Sequence, residues 1–520
     1  MALSYQYNKQ SKKDILRHAK VLEKCQIGDV YDLEQKGKKR PELLDFYEER
    51  KIQGWTDEDG KRHKGDKGRI GFMVQEIYFD EPRDNDSESD LRAAGVELKV
   101  SPLVEKKRVG LKVKERLVLG KIERIKSEKE KLPQNFFDSH IYKKCKLMML
   151  VYYKDESQNG KTPFHFRFHK SEYVEIESLD MAMIERDYQY IRDCVNNKRY
   201  DDLHEKNAHY LSPCRKGNGR AYSLKLSYMN EIFSKYIDKG IPLYKPIIKN
   251  PEELRRASLE EIVIELFSRH KNKTIKEIRR SIMKPKEFKK WESKTKIDKA
   301  EFARTTMAML GVDADQAEEF VKSNICVKTL RVEKNLKMNE DISFSAFEFS
   351  DLSRETWKKS FAYEEMVNRK FLWSVFVHDG DDYKFRGATF WSLPEEDEPV
   401  IKRGWEDIRN IVRKGVKFAI DVKTIKGKPR VLNSFPDSNN TNQNRKEYKL
   451  CKSTKPRNKI ISIRPHAQHA YYDLKTIGYK DTEYSPSNGS ILPNGDVMTK
   501  QCFWFNNEYI LEQIKKQVEL

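Results

Sequence analysis

The segment Asp90-Leu91-Arg92-Ala93-Ala94-Gly95-Val96-Glu97-Leu98-Lys99 carries the residues best suited to chemistry. On a strand, side chains two apart share a face, so Glu97 and Lys99 point together while Val96 and Leu98 face the opposite layer. Gly95 permits a sharp bend that can return Asp90 to the side of Glu97. Two carboxylates and an amine then converge. An all-oxygen pair of this kind suits Mg²⁺, which prefers carboxylates and keeps waters for a phosphate substrate. Such a metal lowers the pKa of bound water and offsets charge developing on phosphorus, with Lys99 at the water or the scissile phosphate. The product is a hydrolysed phosphodiester. In a chain that is 35% charged, Glu-x-Lys also arises as a solvated strand face. The preceding acid, the glycine at the bend and the apolar alternate positions favour the chemical reading.

The elements that must hold these groups belong to a long, basic chain. At 520 residues it exceeds what one hydrophobic core supports, so several domains are expected. Lys+Arg 102 against Asp+Glu 82 gives +20, which suits a polyanion: nucleic acid first, a membrane surface second. The longest nearly unbroken apolar stretch, residues 147–153, is far short of the roughly 20 residues a membrane helix needs. Residues 1–13 are polar, with no apolar signal core. The seven cysteines are scattered, without Cys-x-x-Cys spacing. Free thiols, no structural zinc and a cytoplasmic setting are the expectations.

Helical spacing of Ile15, Ala19 and Leu22 predicts a helix over 12–25, followed by a short segment over 27–33. A polar loop over 51–66, a helix over 69–79 and a polar turn over 81–89 come next. Val, Leu and Ile then recur at strand-like lengths over 95–102, 116–122 and 146–153, predicting a mixed sheet flanked by helices: an α/β fold. Phe164-His165-Phe166-Arg167-Phe168-His169 alternates like a strand, its histidines on a polar face. The Pro- and Lys-rich stretch 240–251 marks a domain boundary, and 259–267 with 273–282 repeats the paired opening helices. Further on, 325–329 can be laid over 96–100, 370–377 over 146–153, and 498–510 matches the character of 221–232. Their shared order indicates a diverged internal duplication.

Asp66-Lys67-Gly68-Arg69-Ile70-Gly71, Glu76-Ile77-Tyr78, the segment 90–99 and Ser139-His140-Ile141-Tyr142-Lys143-Lys144 resemble the ordered motifs of the MutH family, PD-(D/E)xK nucleases that recognise GATC. Gly95-Val96-Glu97-Leu98-Lys99-Val100, Lys114-Glu115-Arg116-Leu117-Val118-Leu119, Tyr210-Leu211-Ser212-Pro213-Cys214 and Met498-Thr499-Lys500-Gln501 resemble the long, two-domain type II restriction endonucleases of that family, across nearly the whole chain. The resemblance implies Asp90 and Glu97 as metal ligands, Lys99 as the catalytic lysine and Lys144 as a second lysine near the phosphate. It also implies an acid on the helix before them. The Glu-Ile-aromatic match selects Glu76, and counting without a gap from Lys67 selects Gln75.

Cys214-Arg215-Lys216-Gly217-Asn218-Gly219-Arg220 is a Gly-containing basic loop that can approach DNA closely while Arg or Lys reaches guanine O6 and N7. A loop contacting only phosphates would bind without reading. The resemblance places groove contacts here, making Arg215, Lys216, Asn218 and Lys225 the DNA-binding candidates. Arg464-Pro465-His466 resembles the family's recognition loop in the second half.

There, Cys326 aligns with Glu97 and Glu319 with Asp90, and a neutral thiol is a poor Mg²⁺ ligand. The expected architecture is therefore two tandem MutH-like domains: a catalytic one, 1–245, and a diverged DNA-binding or effector one, 246–520. The expected activity is Mg²⁺-dependent cleavage of double-stranded DNA at GATC, by resemblance before the G, leaving a four-base 5′ overhang. A strand-nicking mismatch-repair endonuclease is disfavoured by the extra domain. A non-catalytic DNA-binding regulator is disfavoured by the intact Asp90, Glu97 and Lys99. With one active site per chain, either two chains meet on DNA as an induced dimer or one site acts twice.

Overall fold

The computed structural model describes residues 7–37, 40–56, 62–66, 68–83, 88–106, 110–238, 244–294, 297–312, 316–425, 428–435, 458–481 and 483–520. The chain forms two compact units, residues 1–262 with 316–324, and residues 263–315 with 325–520. Both mix helices with sheets, as the α/β expectation requires.

In the first unit, α1 (Lys12–Val21) and α2 (Ile27–Lys36) are followed by α3 (Arg69–Met73). Two strands, β1 (Glu97–Lys106) and β2 (Gly110–Val113), lead to β3 (Leu117–Ile122). Helix α4 (His140–Cys145) precedes β4 (Leu147–Lys154) and β5 (Phe168–Glu175). Helix α5 (Ser178–Asn196), the hairpin β6 (Leu211–Lys216) and β7 (Gly219–Leu224), and α6 (Leu226–Ile232) complete the part that matters here. One sheet runs β2-β1-β4-β5 and a second β3-β7-β6. Strands β1 and β4 are parallel, with Glu97 beside Met148 and Lys99 beside Leu150, whereas β4 and β5 are antiparallel.

Burial explains which way the chemical residues face. Val96, Leu98, Met149, Val151 and Tyr153 join Ile15, Ala19, Leu22, Ile70, Met73, Val74 and Ile77 in one core beneath the sheet. With that layer occupied by apolar side chains, the two-residue period of β1 forces Glu97 and Lys99 onto the other face.

Several elements differ from the sequence expectations. The first helix ends at Val21 and tightens into a 3₁₀ turn over Leu22–Lys24. The polar loop begins as a helix, Glu49–Gln53, and holds a short ladder between Gly54–Thr56 and Arg62–Lys64. The histidine segment is a strand only in its second half. Pro163 opens a 3₁₀ turn, Pro163–His165, in which Thr162 Oγ1 lies 2.8 Å from His165 Nδ1, so only His169 reaches β5.

In the second unit, α7 (Ile275–Ile282), α8 (Pro285–Lys294) and α9 (Lys299–Met309) precede β8 (Ile325–Val332), β9 (Ile342–Ala346), β10 (Lys370–Asp379) and β11 (Asp382–Ser392). Later come α10 (Glu398–Lys414), β12 (Ile461–Pro465) and β13 (Gln501–Phe505). Its sheets run β8-β10-β11 and β9-β13-β12. The first pairs β8 with β10 in parallel and β10 with β11 antiparallel, the senses of β1-β4-β5. The second is antiparallel throughout, as is β3-β7-β6. Cys326 lies beside Phe371 as Glu97 lies beside Met148. That register sets Phe371 against Met148, one residue on from the overlay of 370–377 on 146–153.

Candidate active site

The bend before β1 is a tight hairpin. Leu91 and Val96 exchange backbone hydrogen bonds, Leu91 N–H to Val96 O at 2.9 Å and Val96 N–H to Leu91 O at 3.3 Å, across a 3₁₀ turn over Arg92–Ala94. Gly95 closes it at φ 63°, ψ 38°, a left-handed conformation costly for a residue with a Cβ. The turn returns Asp90 to Glu97: Asp90 N–H donates to Glu97 Oε2 at 3.3 Å, and Leu98 N–H donates to Asp90 Oδ2 at 3.2 Å.

Two ammonium groups meet these carboxylates. Lys99 Nζ donates to Asp90 Oδ2 at 3.3 Å, to the Leu98 carbonyl at 3.2 Å and, very closely, to Glu97 Oε1. Lys144 Nζ donates to Glu97 Oε1 at 3.1 Å. Glu97 is completely buried, so these partners supply what water cannot. Burial works against the charge on Lys99, yet the Glu97 and Asp90 carboxylates hold its pKa above the ordinary lysine value. Lys144 arrives on α4, whose N-cap Ser139 accepts a hydrogen bond from Tyr142 N–H at 3.1 Å. Burial and the neighbouring Lys144 lower the His140 pKa, which favours a neutral ring beside the site.

Glu76 sits apart from this cluster. After α3 the chain continues as a π-helix, Val74–Tyr78, with Phe79 N–H donating to Val74 O at 3.0 Å. A π turn takes in one more residue than an α turn, and both Gln75 and Glu76 lie within it. Lys67, the origin of the ungapped count that selects Gln75, lies outside the described residues. Gln75 Nε2 donates to the Pro82 carbonyl at 3.2 Å. Glu76 Oε2 accepts from Tyr47 Oη, whose pKa burial and this carboxylate both raise, and pairs with Arg83 Nε at 2.9 Å. Arg83 in turn lies over the rings of Phe46 (4.3 Å) and Phe72 (5.3 Å). Among the described residues no hydrogen bond joins Glu76 to Asp90, Glu97 or Lys99. Sequence reasoning missed Tyr47 and Arg83, which fell in stretches with no repeating pattern, and the Leu98 carbonyl, which no side-chain motif reports.

The basic loop is mostly strand. Arg215 pairs with Arg220 and Lys216 with Gly219, leaving a two-residue turn, Gly217-Asn218, with Gly217 at φ 57°. Arg215, Lys216 and Asn218 are exposed at the hairpin tip. Lys225 is half-buried at the start of α6, and its Nζ donates to the Ala208 carbonyl. In the second unit, Arg464 lies 3.8 Å over the Trp504 ring and pairs with Asp341 at 3.3 Å. Glu319, aligned with Asp90, instead sits on the helix Glu318–Ser323 and accepts from the N–H groups of Ile247 (3.0 Å) and Ile248 (2.8 Å).

Among the described residues no group of three or more His, Cys, Asp or Glu side chains forms a metal cluster, and six cysteines are free; Cys451 lies outside them. Also among the described residues, no helix is long and apolar enough to cross a membrane. Asp90, Glu97 and the Leu98 carbonyl surround one cationic group with oxygens alone, a donor set that fits Mg²⁺ with its retained waters.

A fully buried Glu97 beside a part-exposed Asp90, with two lysines on a mixed sheet, is an arrangement suited to a nuclease-type site. The family model of the DNA mismatch repair enzyme MutH matches residues 79–187, the stretch that holds Asp90, Glu97, Lys99 and Lys144. The chain is also 30% identical over 506 residues to the type II restriction enzyme Sau3AI of Staphylococcus aureus, covering 88% of this chain and 94% of that protein. The chain belongs to the MutH family, among its type II restriction endonucleases, and its nuclease domain has the restriction-endonuclease fold.

If Lys144 stabilises the buried Glu97 charge, Lys144→Ala costs about 1–3 kcal/mol of folding stability in metal-free buffer. Urea unfolding measures it. A change under about 0.5 kcal/mol contradicts the pairing.

Proposed function

We propose that the chain cuts double-stranded DNA at GATC before the G, leaving a four-base 5′ overhang, with Mg²⁺ as cofactor. Residues 1–245 form the catalytic MutH-like domain, and 246–520 a diverged MutH-like domain that binds DNA as an effector. One observation carries the reading: a completely buried Glu97 beside Asp90, closed by Lys99 and Lys144. Asp90 and Glu97 would hold the metal. Bound there, Mg²⁺ supplies Lewis-acid polarisation of the phosphate and a water acidified toward hydroxide.

The chain's own residues do the rest. Lys99 carries a fixed positive charge next to the acid pair, where it can neutralise a phosphate oxygen in the transition state, and Lys144 adds a second charge on the same side. Glu76, held by Tyr47 and Arg83 outside the Asp90–Glu97–Lys99 cluster, is the candidate for the helix acid that the family resemblance implies. Arg215, Lys216 and Asn218, presented on a short hairpin, and Lys225, at the start of α6 with its Nζ on the Ala208 carbonyl, are the DNA-binding candidates. In the second unit the matching sheet order supports a shared ancestry of the two halves, while Cys326 removes the acid. Arg464, fixed on Trp504, is its DNA contact.

With Mg²⁺ and supercoiled plasmid, the wild type gives linear fragments ending in GATC. Asp90→Ala, Glu97→Ala and Lys99→Ala give none, while the two carboxylate variants still bind GATC duplexes in Ca²⁺, which fills oxygen sites but supports hydrolysis poorly. Full cleavage by any of the three overturns the assignment.

Arg215→Ala or Lys216→Ala lowers discrimination between GATC and near-cognate duplexes by roughly 1–3 kcal/mol in competitive binding. A uniform loss over all sequences with a shallower salt dependence assigns a phosphate contact instead.

A plasmid with a single GATC is cut slowly, and a short GATC duplex added in trans accelerates it; Arg464→Ala weakens that acceleration. Equal stimulation by a scrambled duplex removes the effector role.

A further inference from the structure

We propose that the helical hairpin α7–α8 of the second unit is a docking surface for the phosphate backbone of double-stranded DNA, distinct from the Arg464 region. Between residues 269 and 294 there are 11 Lys or Arg and 3 Glu. All three acids are engaged. Glu277 accepts from Thr274 N–H (2.8 Å) and Oγ1 (3.0 Å) at the start of α7; Glu287 accepts from Lys284 N–H at 3.4 Å; Glu292 pairs with Lys276.

One side of the hairpin is fixed to the unit. Ile275, Ile278 and Phe288 are buried, and Arg279 pairs with the buried Glu301 at 2.8 Å, which also accepts from Trp291 Nε1 at 3.1 Å. The other side presents Arg280, Lys284, Lys286, Lys289 and Lys290, all exposed. Among the described residues no carboxylate forms an ion pair with any of the five. Lys286, Lys289 and Lys290 fall at the i, i+3, i+4 spacing that puts them on one face of α8. The two exposed acids of α8, Glu287 and Glu292, are already committed to Lys284 N–H and to Lys276, so neither neutralises the five cations.

A set of exposed cations in excess over acids, none of them ion-paired among the described residues, complements a polyanion of regular charge spacing, and for a restriction endonuclease that polyanion is its own substrate duplex. Lysine side chains meet phosphates as point charges and carry no sequence information. The surface therefore adds affinity equally at all sequences and releases counterions when it binds. This inference rests on DNA being the partner of the chain and is independent of GATC as its site.

The test uses the full chain, titrated by fluorescence anisotropy at several salt concentrations against two labelled duplexes, one with GATC and one without. Lys286→Ala/Lys289→Ala/Lys290→Ala reduces the steepness of log K against log salt by about 2–3 on both duplexes, since each phosphate contact contributes roughly 0.9. Glutamine at the same three positions gives the same reduction and guards against altered folding. Lys414→Ala/Lys515→Ala/Lys516→Ala removes the same charge from other exposed positions of the second unit and leaves the slope within about 0.5 of the wild type. Equal reductions in the two alanine sets show a net-charge effect and overturn the proposal. An unchanged slope in the α8 set assigns the face to solvent or another polyanion and also overturns it. Loss of preference for GATC with the predicted slopes intact contradicts the proposed recognition site and leaves this surface standing.

Discussion

A carboxylate with no exposure to water governs the architecture of the first unit. An ionised Glu97 without partners would be strongly unfavourable in that environment, so the fold must deliver compensating charge and hydrogen bonds to one point. Three separate pieces of chain do so. The Gly95 hairpin brings the Asp90 N–H, β1 itself brings Lys99, and α4 brings Lys144 just before β4. Parallel pairing of β1 with β4 makes this convergence possible, because it sets the start of β4, and the helix that feeds it, beside the start of β1. Both ammonium groups thus lie against the same carboxylate oxygen, Glu97 Oε1.

The second unit shows what the same ladder does without the acid. Cys326 is a free, half-buried cysteine where the first unit has a fully buried carboxylate. The lysine two residues on, Lys328, donates to the Ser343 carbonyl at 2.9 Å and lies over the Phe344 ring at 5.3 Å. Aromatic packing takes over the interior, where Phe371, Trp373, Trp391 and Phe505 cluster. Positive charge instead accumulates outside, on α7 and α8. A register without the acid and a basic outer face thus occur together in a similar sheet order.

The parts of this design written in side-chain type and period were legible beforehand. Strand alternation placed Glu97 and Lys99 together, Gly95 marked the bend, and helical spacing marked α1. Features written in the backbone were not. The π turn over Val74–Tyr78 has no distinct composition, so the sequence favoured Glu76 by its motif match while leaving Gln75 as the alternative. The Leu98 carbonyl is invisible to any motif. Residues 214–220 look like a loop in sequence because Gly217-Asn218 resembles any flexible turn, although the pairing of Arg215 with Arg220 makes nearly all of the segment ladder. Pro163 shortened the histidine strand, an effect that alternation alone does not register. Partners distant in sequence, such as Tyr47 and Arg83 on Glu76, emerge only when the chain is folded.

The central claim is that Lys99 and the buried Glu97 are energetically coupled as one charged unit. A double-mutant cycle measures it directly: urea unfolding of the wild type, Glu97→Gln, Lys99→Met and the combined variant in metal-free buffer. The account predicts a coupling energy above about 1 kcal/mol, because Lys99 and Glu97 are in direct contact and each single change removes the same interaction, while Asp90 and Lys144 stay in place in all four proteins. Single effects that add to within about 0.5 kcal/mol would contradict it.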